Sequence, residues 1–81
     1  MTPLYGFVQG DTLGLVVVVD ERATIAEVVA MLVEAASMRV APRPDLRLRW
    51  RDRVLDPDLT VAAAGLEALD RVDVIAAAGE G

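Results

Sequence analysis

Three residue types that carry much of side-chain chemistry, His, Cys and Lys, are absent from this 81-residue chain, which leaves 13 carboxylates and 8 arginines as its ionisable side chains apart from one tyrosine. Without an amine, a thiolate or an imidazole there is no Schiff base, no activated nucleophile of the usual kinds and no zinc ligand set. Absence of Lys also removes any acceptor for isopeptide chain building. Glu27 and Glu34 are seven apart, which puts both on one face of a helix, but no His accompanies them and they have polar company. They are solvated helix residues, and no metal or cofactor is expected. No catalytic residue is expected either.

The other patterned charges are Arg47, Arg49 and Arg51, alternating with Leu46, Leu48 and Trp50. That is strict period two, so the arginines leave one face of a strand and the apolar residues the other, with Arg43 and Arg53 nearby. Arg forms bidentate contacts with carboxylates, which suits docking on an acidic protein surface. The same stripe is equally what suppresses aggregation at a strand, pairing with Asp45, Asp52 or Asp73. Nucleic acid is a poor partner, because the formal net charge of −5 repels phosphate.

These side chains need elements to hold them. Thr24 to Arg39 is the one stretch with helix periodicity: Ile25, Val28, Val29, Leu32, Ala35 and Ala36 recur at spacings of three and four. Thr24 and Glu27 form a T-x-x-E capping box, so the helix start is fixed, and Arg39 sets a cation near its end. Met31 and Met38, seven apart on the side away from the core, are adaptable contact material or incomplete coverage.

Before the helix, Leu4 to Gln9 and Leu13 to Val19 flank Gly10-Asp11-Thr12, a hairpin signature. Leu13, Leu15, Val17 and Val19 point one way, toward the helix, and Val16 and Val18 the other. Both faces are apolar, which a partner covering Val16 and Val18 would explain. The register of the first strand stays open, with Leu4 and Val8 opposed to Tyr5 and Phe7. After the helix, Pro42 and Pro44 predict a stiff crossover into the strand that holds the arginines. Trp50 faces inward, toward Leu32. Asp52-Arg53 turns into a short strand at Val54-Leu55, and Asp56-Pro57-Asp58 is a turn. Thr60 caps a helical turn from Val61 to Ala64 that Gly65 ends. Leu66 and Leu69 plug the core, Asp70-Arg71 turns into a last strand at Val72, Val74 and Ile75, and Ala76 to Gly81 is a tail expected to fray.

The length sets a single domain over residues 1–81, small enough that every apolar face should be used. The fold class is α+β: strand, strand, helix, strand, short strand, helical turn, strand, with the first and last strands as central neighbours of a mixed sheet packed on one helix. This order, with the T-x-x-E start, the Pro-containing exit, Leu46-x-Leu48-x-Trp50 and D-x-x-x-T-V-x-x-x-G-L, resembles the ubiquitin-like β-grasp fold.

Within that fold, LVVVVD at Leu15 to Asp20, RVAPRP at Arg39 to Pro44, LRLRWR at Leu46 to Arg51, LDPDLTVAAAGL at Leu55 to Leu66 and VDVI at Val72 to Ile75 resemble the small gamma subunit, or system protein B, of bacterial four-component di-iron toluene and alkene monooxygenases. The resemblance implies a non-catalytic accessory chain that docks on the large helical hydroxylase subunit, which itself holds the irons. The docking residues expected are Arg47, Arg49, Arg51, Val16, Val18, Met31 and Met38, with Arg49 in the middle of the sheet face where ubiquitin-like folds commonly dock partners.

Two other readings compete. A ubiquitin-like adaptor of bacterial type VII secretion shares the Pro-Arg pattern from Pro42 to Arg47 and the T-x-x-x-x-G-L segment, although the N-terminal hairpin favours the monooxygenase. A sulfur carrier or modifier needs a slim Gly-Gly end, and Glu80 in Gly79-Glu80-Gly81 adds bulk and charge there. No cysteine, no basic N-terminal region and no apolar run near ~20 residues mean that a cytoplasmic location is expected, with no membrane partner.

Overall fold

The computed structural model describes residues 1–41 and 45–76. The expected crossover at residues 42–44 and most of the expected tail, residues 77–81, lie outside the described residues. Five strands, β1 (Thr2–Val8), β2 (Gly14–Val19), β3 (Leu46–Trp50), β4 (Arg53–Val54) and β5 (Asp70–Ala76), alternate with helix α1 (Ile25–Ala36) and the single turn α2 (Val61–Ala64). They form one sheet in the order β2-β1-β5-β3-β4. β1 and β5 run parallel as neighbours, and every other pairing is antiparallel. This is the mixed β-grasp sheet that the element order implies.

α1 begins where its capping box says it must. The Thr24 hydroxyl accepts from Glu27 N–H at 3.2 Å while the Glu27 carboxylate accepts from Thr24 N–H at 2.8 Å. Two further orphan donors of the first turn look elsewhere: Ile25 N–H bonds to the Leu59 carbonyl and Ala26 N–H to that of Pro57. The favour is returned. At α2, Ala63 N–H bonds to the Thr60 hydroxyl, Val61 N–H to the Ala23 carbonyl and Ala62 N–H to that of Glu21. The two helix starts therefore cap each other across an isolated antiparallel bridge between Thr24 and Thr60, satisfying donors that no helix can pair internally.

The inner face of the sheet lies under α1. Leu4 and Val8 of β1, Val19 of β2, Leu48 and Trp50 of β3, and Val72 and Val74 of β5 are buried against Ile25, Val28, Leu32 and Ala36. Leu15, Val17 and Leu46 are partly buried against the same core. The burial pattern settles the first strand: Thr2, Leu4, Gly6 and Val8 point inward, Tyr5 and Phe7 outward. Gly6 has a specific reason to be glycine, since a Cβ there would lie 2.5 and 2.8 Å from the two methyls of Leu32. The helix sits that close to the sheet.

Several expectations are corrected. α1 stops at Ala36 with Ser37 as C-cap, so Arg39 is outside its last turn. Instead Arg39 grips the hairpin loop, donating from Nη2 to Asp11 Oδ2 at 2.8 Å and from Nε to both carboxylate oxygens. Leu66 is buried, but Leu69 is 63% exposed. A turn closed by Asp70 N–H to the Glu67 carbonyl holds Leu69 at φ 62 with its N–H bonded to Pro3, and this turns the side chain out. Asp70 and Arg71 belong to β5 rather than to a turn, and Ala76 is its buried last residue, where its N–H meets the Gln9 side chain. Trp50 is buried as expected, in one core cluster with Leu32, and its ring edge lies beside Gly65.

Two predictions follow from this packing. Gly6→Ala should destabilise by about 1–3 kcal/mol, because Leu32 is fully buried and its methyls have no vacant direction to move; the urea midpoint of the variant should fall at unchanged slope. An unchanged midpoint would mean that α1 can ride further from β1. The second concerns acid. Arg39 holds the Asp11 carboxyl below its ordinary value by hydrogen bonding, helped by the Leu13 N–H. An acid whose pKa is lowered by folding stabilises the fold above its unfolded value, roughly 4, and that contribution drains away as pH falls through the lowered value. Asp11→Asn should therefore flatten the loss of melting temperature on acidification below about pH 4, while Asp20, also lowered chiefly by the Arg22 N–H, keeps its share.

Candidate functional site

The outer face of the sheet carries the side chains that the core does not use. Strand registers set them in rows. One row runs Val16, Tyr5, Arg71 across β2, β1 and β5. The next runs Gly14, Phe7, Asp73, Arg49 and Val54 across all five strands, and Ile75 lies opposite Arg47 in a third. The aromatic rings lean toward β2, over Gly14: a Cβ at that position would fall 2.6 Å from Tyr5 and 2.8 Å from Phe7. The two rings meet edge to face at 4.9 Å between centroids.

Arg47 and Arg49 leave the outer face as their alternation predicts. Arg49 approaches Asp73 Oδ2 at 3.8 Å across the strands, one of the three pairings expected, and Arg47 donates to its neighbour's carbonyl on Leu46. Arg51 does not continue the stripe. Trp50 pairs with Arg53, so Arg51 and Asp52 form a two-residue hairpin loop, both at positive φ (53 and 63). Such a loop matches strand twist and rotates the chain out of period two. The guanidinium of Arg51 then lies 4.7 Å from the Trp50 ring centroid and that of Arg53 5.5 Å. Arg51 still lines a shallow cleft of about 350 Å³ with Arg49, Arg71 and Asp73.

Val16 and Val18 stand on β2, an edge strand, 62% and 51% exposed. Met31 is exposed on α1, and a shallow cleft of about 520 Å³ around the edge of β2 is lined by both Val18 and Met31 with Asp20, Arg22 and Glu27. Met38 does not share the helix face of Met31. It lies beyond the C-cap Ser37 and is 91% exposed.

Glu27 is occupied in the capping box, and among the described residues no three acidic side chains converge to hold a metal ion. Sequence reasoning missed Arg71 as a member of the outer face and left the side of Tyr5 and Phe7 open. A signal existed: Arg71, Asp73 and Ile75 alternate with Val72 and Val74, the same period two that marks β3. Among the described residues no helix is long and apolar enough to cross a membrane.

Comparison with known proteins places this arrangement. A search among curated proteins finds no match. Among solved structures, a chain of the toluene 4-monooxygenase HD complex with the inhibitor 4-bromobenzoate superposes with a TM-score of 0.84 at 28% identity, over 90% of this chain and 94% of that one. Caldiarchaeum subterraneum ubiquitin matches with a TM-score of 0.74 at 21% identity over 99% and 98%. A protein described as a molecular mimic of SUMO that promotes DNA repair gives 0.77 at 19% over 91% and 89%. The last two show the ubiquitin-like fold alone. The family model for toluene-4-monooxygenase system protein B matches residues 1–75, nearly the whole length, and the chain therefore belongs to the toluene-4-monooxygenase system protein B family.

Proposed function

We propose that the chain is a non-catalytic accessory subunit of a multicomponent di-iron hydroxylase and docks on its large helical subunit. The observation that carries this reading is the 28% identical chain of the toluene 4-monooxygenase HD complex, matched over 90% of this one. The residue inventory supports it. A di-iron site of the carboxylate class is built from Glu and Glu-x-x-His sets on facing helices, and this chain has no His and, among the described residues, one helix longer than a single turn.

For docking, the outer sheet face is the surface of choice. It combines apolar Val16 and Val18 with cationic Arg47 and Arg49, whereas α1 offers Met31 among charged neighbours. Arg51 contributes at the rim of the same face, Met31 through its cleft with Val18, and Met38 as an exposed contact at the far end of the helix. An assembly would satisfy the apolar outer side of β2, which in an isolated chain faces water.

Two measurements test the reading. Tagged chain co-expressed with the large subunit should co-purify with it in a fixed ratio, whereas the chelator-washed chain by itself should show no stoichiometric iron by elemental analysis and no turnover. Iron on the isolated chain, or a large subunit that never co-elutes, would reject the accessory role. For the surface, Arg47→Glu/Arg49→Glu should weaken association while shifting stability by no more than about 0.5–1 kcal/mol, since neither guanidinium enters the core. Ala63→Glu, exposed on α2 and lining neither of these clefts, serves as the control, and equal binding by both variants would move docking away from the arginine face.

A further inference from the structure

The cross-strand rows of the outer face change from apolar to cationic within one step. Tyr5 pairs with Val16 on one side and with Arg71 on the other. Arg71 lies over Phe7, with its guanidinium 4.2 Å from that ring's centroid and one nitrogen 3.3 Å from Asp73 Oδ1. Arg49 reaches the other oxygen of Asp73 at 3.8 Å. Two guanidiniums thus share one carboxylate, leaving this spot positive on a chain of net charge −5.

Those contacts are loose. The same chain shows what a saturated pair looks like: Arg39 and Asp11 meet in three hydrogen bonds of 2.8, 3.0 and 3.1 Å. A charge-assisted N–H to carboxylate bond is ordinarily about 2.7–2.9 Å, and a guanidinium has five donors, so Arg49 and Arg71 keep most of their capacity. A cleft of about 390 Å³ opens beside them, lined by Phe7, Gln9, Arg49, Arg71 and Asp73 among others.

We infer that this face receives a carboxylate-bearing segment of the large hydroxylase subunit, with a partner Asp or Glu bonded to Arg71 and Arg49 and partner apolar side chains on Tyr5, Val16 and Val18. Asp73 is the resident acceptor that tethers Arg71 and draws Arg49 toward it before the partner arrives. The inference rests on the accessory-subunit reading. Its physical basis is charge complementarity joined to preorganisation. An arginine already stacked on a ring and tethered at one nitrogen loses little further freedom when a second carboxylate engages it. Tyr5 and Phe7, packed edge to face, give the neighbouring apolar half a similarly fixed floor.

The test is titration of the large hydroxylase subunit with wild-type chain, Asp73→Asn, Arg49→Glu/Arg71→Glu and Ala63→Glu at low and moderate salt, with a thermal melt of each. Asp73→Asn keeps an acceptor oxygen for the tether and removes the charge that repels an incoming carboxylate, so binding should tighten by about threefold or more. Charge reversal should weaken binding by about tenfold or more and flatten its salt dependence, with Ala63→Glu matching wild type. Arg49→Gln/Arg71→Gln, which keeps size and loses charge, replaces the reversal if that variant melts non-cooperatively. Binding of the arginine variants equal to wild type, or an Asp73→Asn variant that binds no tighter, overturns the inference and leaves the accessory role standing. Failure of the wild-type chain to bind the large subunit overturns the accessory role, and this inference with it.

Discussion

The reciprocal capping of the two helix starts is the constraint on which the rest of this fold depends. α1 and α2 begin 36 residues apart, at Ile25 and Val61, yet the first-turn donors of each are satisfied by carbonyls from the loop that precedes the other. Main-chain N–H groups buried without partners would cost more than a small domain can bear. Meeting that demand ties the loop after β2 to the loop after β4, and so fixes the distance between one edge of the sheet and the segment beyond the other. Thr24 and Thr60 sit at the centre of the exchange, each the N-cap of its own helix and the bridge partner of the other.

With its ends fixed, α1 has twelve residues to cover the inner face of a five-stranded sheet. It does so by coming close. Gly6 opens the centre of β1 to Leu32, and the inner side chains of four strands close around it. Among the described residues no element covers the outer face, and the chain treats it differently from a merely solvated surface. Charges gather over β5 and β3, while β2 and β1 keep Val16, Val18, Tyr5 and Phe7. Gly14 repeats on this side what Gly6 does on the other, clearing room for side chains from a neighbouring strand.

Much of this was legible in the residues. The T-x-x-E box, the Thr60 cap, Gly65 at φ 86, the Asx turn in which Asp58 N–H bonds to Asp56, and the alternation of β3 all depend on groups within about four residues of each other. Such signals survive in the sequence because nothing distant is needed to read them. The di-iron monooxygenase resemblance rested on LRLRWR and LDPDLTVAAAGL, which carry several of these signals, and on LVVVVD, RVAPRP and VDVI. The candidate face was legible only in part: Arg47, Arg49, Val16 and Val18 are named by their own alternation, but Arg71, Asp73, Tyr5 and Phe7 join them only through strand pairing.

What the tertiary structure alone decided are the choices in which local pattern allows two answers. A strand apolar on both faces, as β1 is, has no inside until a helix covers one of them, and it was the seating of Leu32 on Gly6 that sent Tyr5 and Phe7 outward. Arg39 suited a helix terminus by charge, yet its carboxylate lay 28 residues away in the hairpin loop. Arg51 obeyed the stripe in sequence and left it in space, because pairing of Trp50 with Arg53 demanded a two-residue loop with left-handed backbone. The sequence by itself thus determined the elements, their caps and their order, whose causes are local; which face each residue joins, and which charge it meets, depends on contacts between residues far apart in the chain.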